Sequence, residues 1–276
     1  MAVKRLRCNY PKAFKHESTV LWRLLKEPHV HPHLVTLLAT FEQREQYYFI
    51  LPWAESDLES YWKDFGRFKN TWNDEQMSAW LVRQCQGIVE ALSRIHRYDT
   101  TSGTTISYHK TERASVSAVR AKPRARDPAE PRTPLTLFGR HGDIKPQNIL
   151  WFHNPCVNQD LGTLKISDFG SARFGDRMTM SEEHQDSMAM SLTYRSPECQ
   201  MPDAEPSIQC DIWALGCVFL EFVCWYHASY DGLKDFARQR RYGYDSDSYF
   251  TIGRVNRDER RHELYATVKK PVTEVS

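Results

Sequence analysis

No charge of one sign dominates this sequence. Lys and Arg number 37 against 35 Asp and Glu, a formal net charge of +2. Charge therefore gives no argument for a nucleic-acid or polyanionic partner. No apolar run approaches the ~20 residues of a membrane-spanning helix. The longest, around Val218–Val223, is interrupted by Glu221. No membrane association is expected. The basic start, Met1–Arg7, has no apolar stretch behind it and does not read as a signal peptide. A disulfide framework is missing too. Seven Cys at irregular spacing leave one over, which points to a reducing compartment, cytoplasmic or nuclear. Large aliphatic residues are almost absent from 99–134, a Thr/Ser-rich stretch that turns basic and Pro-rich. Such a segment cannot build a core and is expected to be a disordered insertion.

What is present suffices for a core: 41% of 276 residues are hydrophobic and 26% charged, a globular composition. From Pro11 to Lys26, the residues Phe14, Val20, Leu21, Leu24 and Leu25 can share one helical face. Pro28 and Pro32 stop that helix. Leu34–Phe41 and Gln46–Leu51 read as two strands around a polar turn at Glu42–Glu45. Asn73, with Gln76 three residues on, reads as a capping box opening a long amphipathic helix through Met77, Trp80, Ile88, Leu92 and Ile95. Leu164–Ile166 reads as a short strand. Ser207 caps an apolar helix from Ile212 to Val223, and the chain turns polar beyond Tyr226. Glu263–Lys270 is expected to be a last helix.

Three short motifs follow in order. His141-Gly142-Asp143-Ile144-Lys145-Pro146-Gln147-Asn148 comes first, then Asp168-Phe169-Gly170, then Ser196-Pro197-Glu198. Asp211-Ile212-Trp213-Ala214-Leu215-Gly216 comes after them. The ordered set resembles the catalytic loop, the D-F-G and A-P-E motifs and the central helix of eukaryotic serine/threonine protein kinases, with a likeness to those of filamentous fungi. The resemblance runs from about Ala2 to Thr251, around the insertion.

The implied fold is α+β and bilobal. A partial N-lobe with a small, incomplete sheet would span 1–51, a hinge 52–56, and a mainly helical C-lobe 57–276. The implied chemistry is transfer of the ATP γ-phosphate to a Ser/Thr hydroxyl of a protein substrate. Such transfer is mostly positioning and charge neutralisation. Asp143 would orient the attacking hydroxyl and accept its proton. Lys145 would place a positive charge near the transferred phosphate. Asn148 and Asp168 would offer hard oxygens to Mg2+. Lys4, in Ala2-Val3-Lys4, would anchor the ATP phosphates and pair with Glu17. Leu51 would guard the back of the adenine pocket, with the Pro52 carbonyl and Ala54 N–H facing the base. Ser191 stands where such kinases carry a hydroxyl that meets the catalytic loop.

The sequence departs from the pattern in places. No G-x-G-x-x-G occurs anywhere, so the phosphates would lack their lid, and the chain reads as N-terminally truncated. A non-catalytic, kinase-like or remnant protein that acts by binding partners is the alternative reading. Gly142 replaces the Arg that binds an activation-segment phosphate, so phosphorylation of Thr179, Ser181 or Ser187 is not expected to be the main switch. The Arg that should pair with Glu198 is hard to place. His29, His31 and His33 alternate as metal ligands could, but they also resemble the turn after the N-lobe helix. Cys217 and Cys224 read as core residues, and Cys199 and Cys210 have no assigned partner.

Overall fold

In the computed structural model the described residues are 1–6, 11–26, 29–64, 73–100, 135–153, 161–175, 191–201, 207–244, 246–258 and 261–274. The expected insertion therefore lies almost wholly outside them, as do Thr179, Ser181 and Ser187.

The small lobe is an antiparallel sheet in the order β1 (Ala2–Arg5), β3 (Gln46–Leu51), β2 (Ala39–Gln43), with α1 (Pro11–Leu24) against it. Alternation along β1 half-buries Ala2 and Lys4 and exposes Val3 and Arg5. Phe14 of α1 stacks on Tyr47 and leans on the fully buried Phe49. The hairpin turn is tighter than expected. Only Arg44 and Glu45 lie outside the strands, both with positive φ (51° and 59°), the twist a two-residue hairpin loop requires. The strand expected from Leu34 starts only at Ala39. Leu34, Val35 and Leu37 are buried, but this stretch docks elsewhere: the Val35 N–H donates to Ile166 O and the Ile166 N–H to His33 O.

The larger lobe is built on helices. After β4 (Ser56–Asp57) come α2 (Leu58–Asp64) and α3 (Asp74–His96). The capping box is real: Asn73 Oδ1 accepts the Gln76 N–H at 2.7 Å, and Gln76 Oε1 accepts the Asn73 N–H at 3.1 Å. Two small sheets carry the motif loops. One is β4-β7-β8, with β7 (Ile149–Phe152) and β8 (Thr163–Ile166). The other is β5-β6-β9, with β5 (Arg97–Thr100), β6 (Leu135–Arg140) and β9 (Arg173–Gly175). Asp99 and Thr100, placed in the insertion by composition, thus belong to a strand paired with Thr136 and Leu135.

Ser207 caps α4 (Ile208–Arg241) by accepting the Gln209 N–H. This helix runs past Tyr226 to Arg241, bent at Ser229. By length and composition it could cross a membrane, which the interrupted apolar run had not suggested. Its apolar side is instead taken up by the lobe. Phe222 meets the rings of Trp62 and Trp80, and Trp225 Nε1 donates to Trp62 O.

The last expected helix is a hairpin, β10 (Phe250–Asp258) with β11 (Arg261–Val268), followed by the short α5 (Lys270–Thr273). Thr251, Ile252, Val255, Thr267 and Val268 are β-branched, and such residues favour strands over helix. Tyr249 and Lys269 fix the hairpin's base. Tyr249 is buried and donates to Glu221 Oε1 at 2.7 Å, and Lys269 Nζ donates to Arg240 O at 2.9 Å and Ser246 O at 2.6 Å.

Candidate active site

The motif loops leave the ends of these short strands, and the Asp168-Phe169-Gly170 turn meets α1 and β1. Lys4 lies opposite Phe49 in the sheet register. Its Nζ donates to Glu17 Oε1 at 2.7 Å and to Asp168 Oδ1 at 2.8 Å. Glu17 is almost fully buried on the inner face of α1, beside Val20 and Leu21. One ammonium thus joins β1, α1 and the Asp168-Phe169-Gly170 turn.

The charges in this triad shift one another. Burial pulls the Lys4 ammonium down, but the Glu17 and Asp168 carboxylates outweigh it and raise it above its ordinary range. Burial pushes Asp168 up, yet the Lys4 charge and hydrogen bond hold it below the usual carboxylate range. For Glu17 burial wins over Lys4, and the carboxyl is raised. The carboxylates therefore act in opposite senses on the acid side, and the alkaline edge is the clean one. A raised Lys4 contributes stability in full below its unfolded value of 10.5, and this is lost as pH rises through the folded value. The gap in melting temperature between wild type and Lys4→Met is expected to close only above about pH 10.5, as read by thermal unfolding over a pH series.

Asp168 has left-handed backbone angles (φ 61°, ψ 76°), sterically costly for a residue with a Cβ. The surroundings impose them: Phe169 is fully buried, with its ring 5.2 Å from that of His141. His141 Nε2 donates to Ser167 O at 3.0 Å, so the two motif loops are stitched together just ahead of Asp168.

The second cluster surrounds Asp143. Its Oδ2 accepts from Lys145 Nζ at 2.6 Å and from Asn148 Nδ2 at 2.9 Å. Asn148 Nδ2 also donates to Asp143 O at 2.8 Å. With its amide nitrogen so used, Asn148 keeps Oδ1 as an acceptor. Asp168 and Asn148 together offer a carboxylate and an amide oxygen, a donor set that fits a hard divalent cation and not a soft one.

The catalytic loop hangs from a buried carboxylate. Asp211, fully buried in the first turn of α4, accepts the His141 N–H at 2.7 Å (Oδ2) and the Gly142 N–H at 2.8 Å (Oδ1). His96 Nε2 lies 3.0 Å from Oδ2. In the sequence Asp211 stands only as the start of the Asp211–Gly216 motif, and that position is its one signal. Gly142 now has a structural reason. Its φ is +82°, and a Cβ there would lie 2.8 Å from Ser171 O. Gly142→Ala is expected to cost about 1–2 kcal/mol, measured by urea unfolding.

Leu51 ends β3 opposite Ala2, two residues along from the Lys4–Phe49 pair. Pro52 and Ala54 are half-buried in the connection to β4, with Trp53 62% exposed between them. Glu198 is half-buried, with Cys210 Sγ 3.5 Å from its Oε1. Arg240, a buried cation of this lobe, pairs with Glu221 at 3.0 Å instead. His33 Nδ1 donates to Leu164 O at 2.7 Å. Among the described residues no group of three or more His, Cys, Asp or Glu is placed to hold a metal.

Residues 139–260 match the family model described as the protein kinase domain. The mitogen-activated protein kinase sma-5 of Caenorhabditis elegans is 43% identical over 89 residues, 30% of this chain and 16% of that protein. Mouse cyclin-dependent kinase 15 is 38% identical over 81 residues, 29% of this chain and 16% of that one. The probable cyclin-dependent kinase 8 of Dictyostelium discoideum is 35% identical over 83 residues, 30% of this chain and 21% of that one. The matched segments thus span about a fifth or less of these relatives.

Proposed function

We propose that this chain, whose residues 139–260 match the protein kinase domain and which resembles serine/threonine kinases over about 30% of its length, transfers the γ-phosphate of ATP to Ser or Thr hydroxyls of protein substrates. The observation that carries this reading is the Lys4 bridge between Glu17 and Asp168. It sets an anchored ammonium beside a carboxylate, which is what a polyphosphate with its cation needs.

Lys4, held at fixed height by Glu17, binds phosphate oxygens. Asp168 and Asn148 would hold Mg2+, which would neutralise charge on the phosphates. Leu51 and Ala54 border the base, with the Pro52 carbonyl as acceptor and the Ala54 N–H as donor. Asp143 accepts the proton of the substrate hydroxyl as its oxygen bonds to the γ-phosphorus and the bond to the β-phosphate oxygen breaks, releasing ADP. Lys145, already on Asp143 Oδ2, faces the developing charge of the same step. A Lys at this place in the loop favours Ser/Thr over Tyr acceptors, by resemblance to serine/threonine kinases.

The test is transfer of labelled γ-phosphate to a mixed Ser, Thr and Tyr peptide library. The expected result is label on Ser and Thr that needs a divalent cation. Nucleotide binding without transfer to any acceptor would overturn the catalytic reading and leave a binding protein.

A further inference from the structure

Two thiols that the sequence leaves unassigned meet beside the Ser196-Pro197-Glu198 motif. Cys199 stands in the helical turn Pro197–Gln200 and Cys210 in the first turn of α4. Their sulfurs are 3.2 Å apart, so a disulfide at ~2.05 Å needs only about 1.2 Å of approach. The two are not equivalent. Cys210 is fully buried, whereas Cys199 is partly exposed. Cys199 Sγ also lies 3.3 Å from Ser196 Oγ. Nε and Nη1 of Arg140 are buried without a hydrogen-bond partner, and that cation's charge acts on Cys199. On the other side, Cys210 Sγ lies 3.5 Å from Glu198 Oε1.

We propose that Cys199 and Cys210 form an oxidation site, in which a hydroperoxide converts the thiol pair to an intramolecular disulfide. Cys199 is the attacked thiol and Cys210 resolves it. Hydrogen bonding from Cys210, helped by Ser196 and the Arg140 charge, outweighs burial and the Glu198 carboxylate and holds the Cys199 thiol below its ordinary range. A thiolate, not a thiol, is the nucleophile. Its sulfur attacks the peroxide, an S–O bond forms and the O–O bond breaks. The departing oxygen takes up the proton that Cys199 lost on ionising and leaves as water or alcohol, and Cys199 becomes a sulfenic acid. Cys210 sulfur then attacks Cys199 sulfur. The S–S bond forms, the S–O bond breaks, and hydroxide takes the Cys210 proton, by way of Glu198, to leave as a second water. Two thiols are oxidised and one peroxide is reduced. The disulfide would tie the Pro197–Gln200 turn to the residue next to Asp211, which suspends the catalytic loop. The site does not depend on the function proposed above.

The test treats the reduced full chain with a few equivalents of hydrogen peroxide. Remaining thiols are then alkylated under unfolding conditions, and unreduced peptides are mapped by mass spectrometry. The expected product is a Cys199–Cys210 linked peptide, two hydrogens lighter and reversed by dithiothreitol. Cys85, whose thiol burial pushes up to about 11, should oxidise at least ~10-fold more slowly. Cys210→Ser should leave Cys199 as a dimedone-reactive sulfenic acid. Full alkylation of both thiols after peroxide would overturn the proposal, as would loss of Cys199 at the rate of Cys85. The wild-type map decides even if a variant fails to fold.

Discussion

Replacing Asp211 by Ala is expected to destabilise the chain by about 3–5 kcal/mol. The carboxylate is fully buried and accepts two backbone N–H groups, of His141 and Gly142. Alanine orphans both donors where water does not reach, and each orphan costs about 1–3 kcal/mol. For a chain of this size the melting temperature should fall by roughly 10 °C. Asp211→Asn should be milder, because one carboxamide oxygen can still accept one of the two. Urea unfolding of the three proteins measures the order. A loss below about 1 kcal/mol for Asp211→Ala would mean that the loop is held by other contacts.

The second large effect belongs to Asp143. Asp143→Asn keeps the shape of the side chain but removes the proton acceptor. Transfer is expected to fall about 10²–10⁴-fold, while nucleotide affinity stays within about threefold, since Lys4 and Asp168 are untouched and Asn148 keeps its bond to the Asp143 backbone carbonyl. Single-turnover transfer and equilibrium nucleotide binding, measured on the same preparation, separate the two. A fall in affinity as large as the fall in rate would make Asp143 part of the nucleotide site, not the base.

The legibility of these features follows their physical range. The capping box at Asn73 and the buried stripe of α1 were readable because each depends on neighbours three or four residues away. The Lys4–Glu17 pair was readable only through the family pattern: the partners lie 13 residues apart on different elements, and Lys4 also meets Asp168 across most of the chain. Glu221 looked like a flaw in an apolar run. It is a buried charge satisfied by Arg240, Tyr194 and Tyr249, and two of these partners, Arg240 and Tyr249, fall where composition turned polar. The same blindness hid the Cys199–Cys210 contact, which needs the start of α4 folded against the Ser196-Pro197-Glu198 turn. The C-terminal hairpin was misread because Glu263–Lys270, taken alone, mixes charged and apolar residues as a surface helix does. Its pairing with Phe250–Asp258 settles the conformation, and periodicity within one segment does not carry that information.

The central claim is that Lys4, Asn148 and Asp168 form a nucleotide site, and thermal unfolding with and without Mg·ATP tests it most directly. At ~100 times its dissociation constant the ligand stabilises a native site by about 2.7 kcal/mol. The wild type should therefore melt roughly 5–10 °C higher with ligand, and Asp168→Ala should show no shift. An equal shift in both proteins, or none in the wild type, would contradict the account.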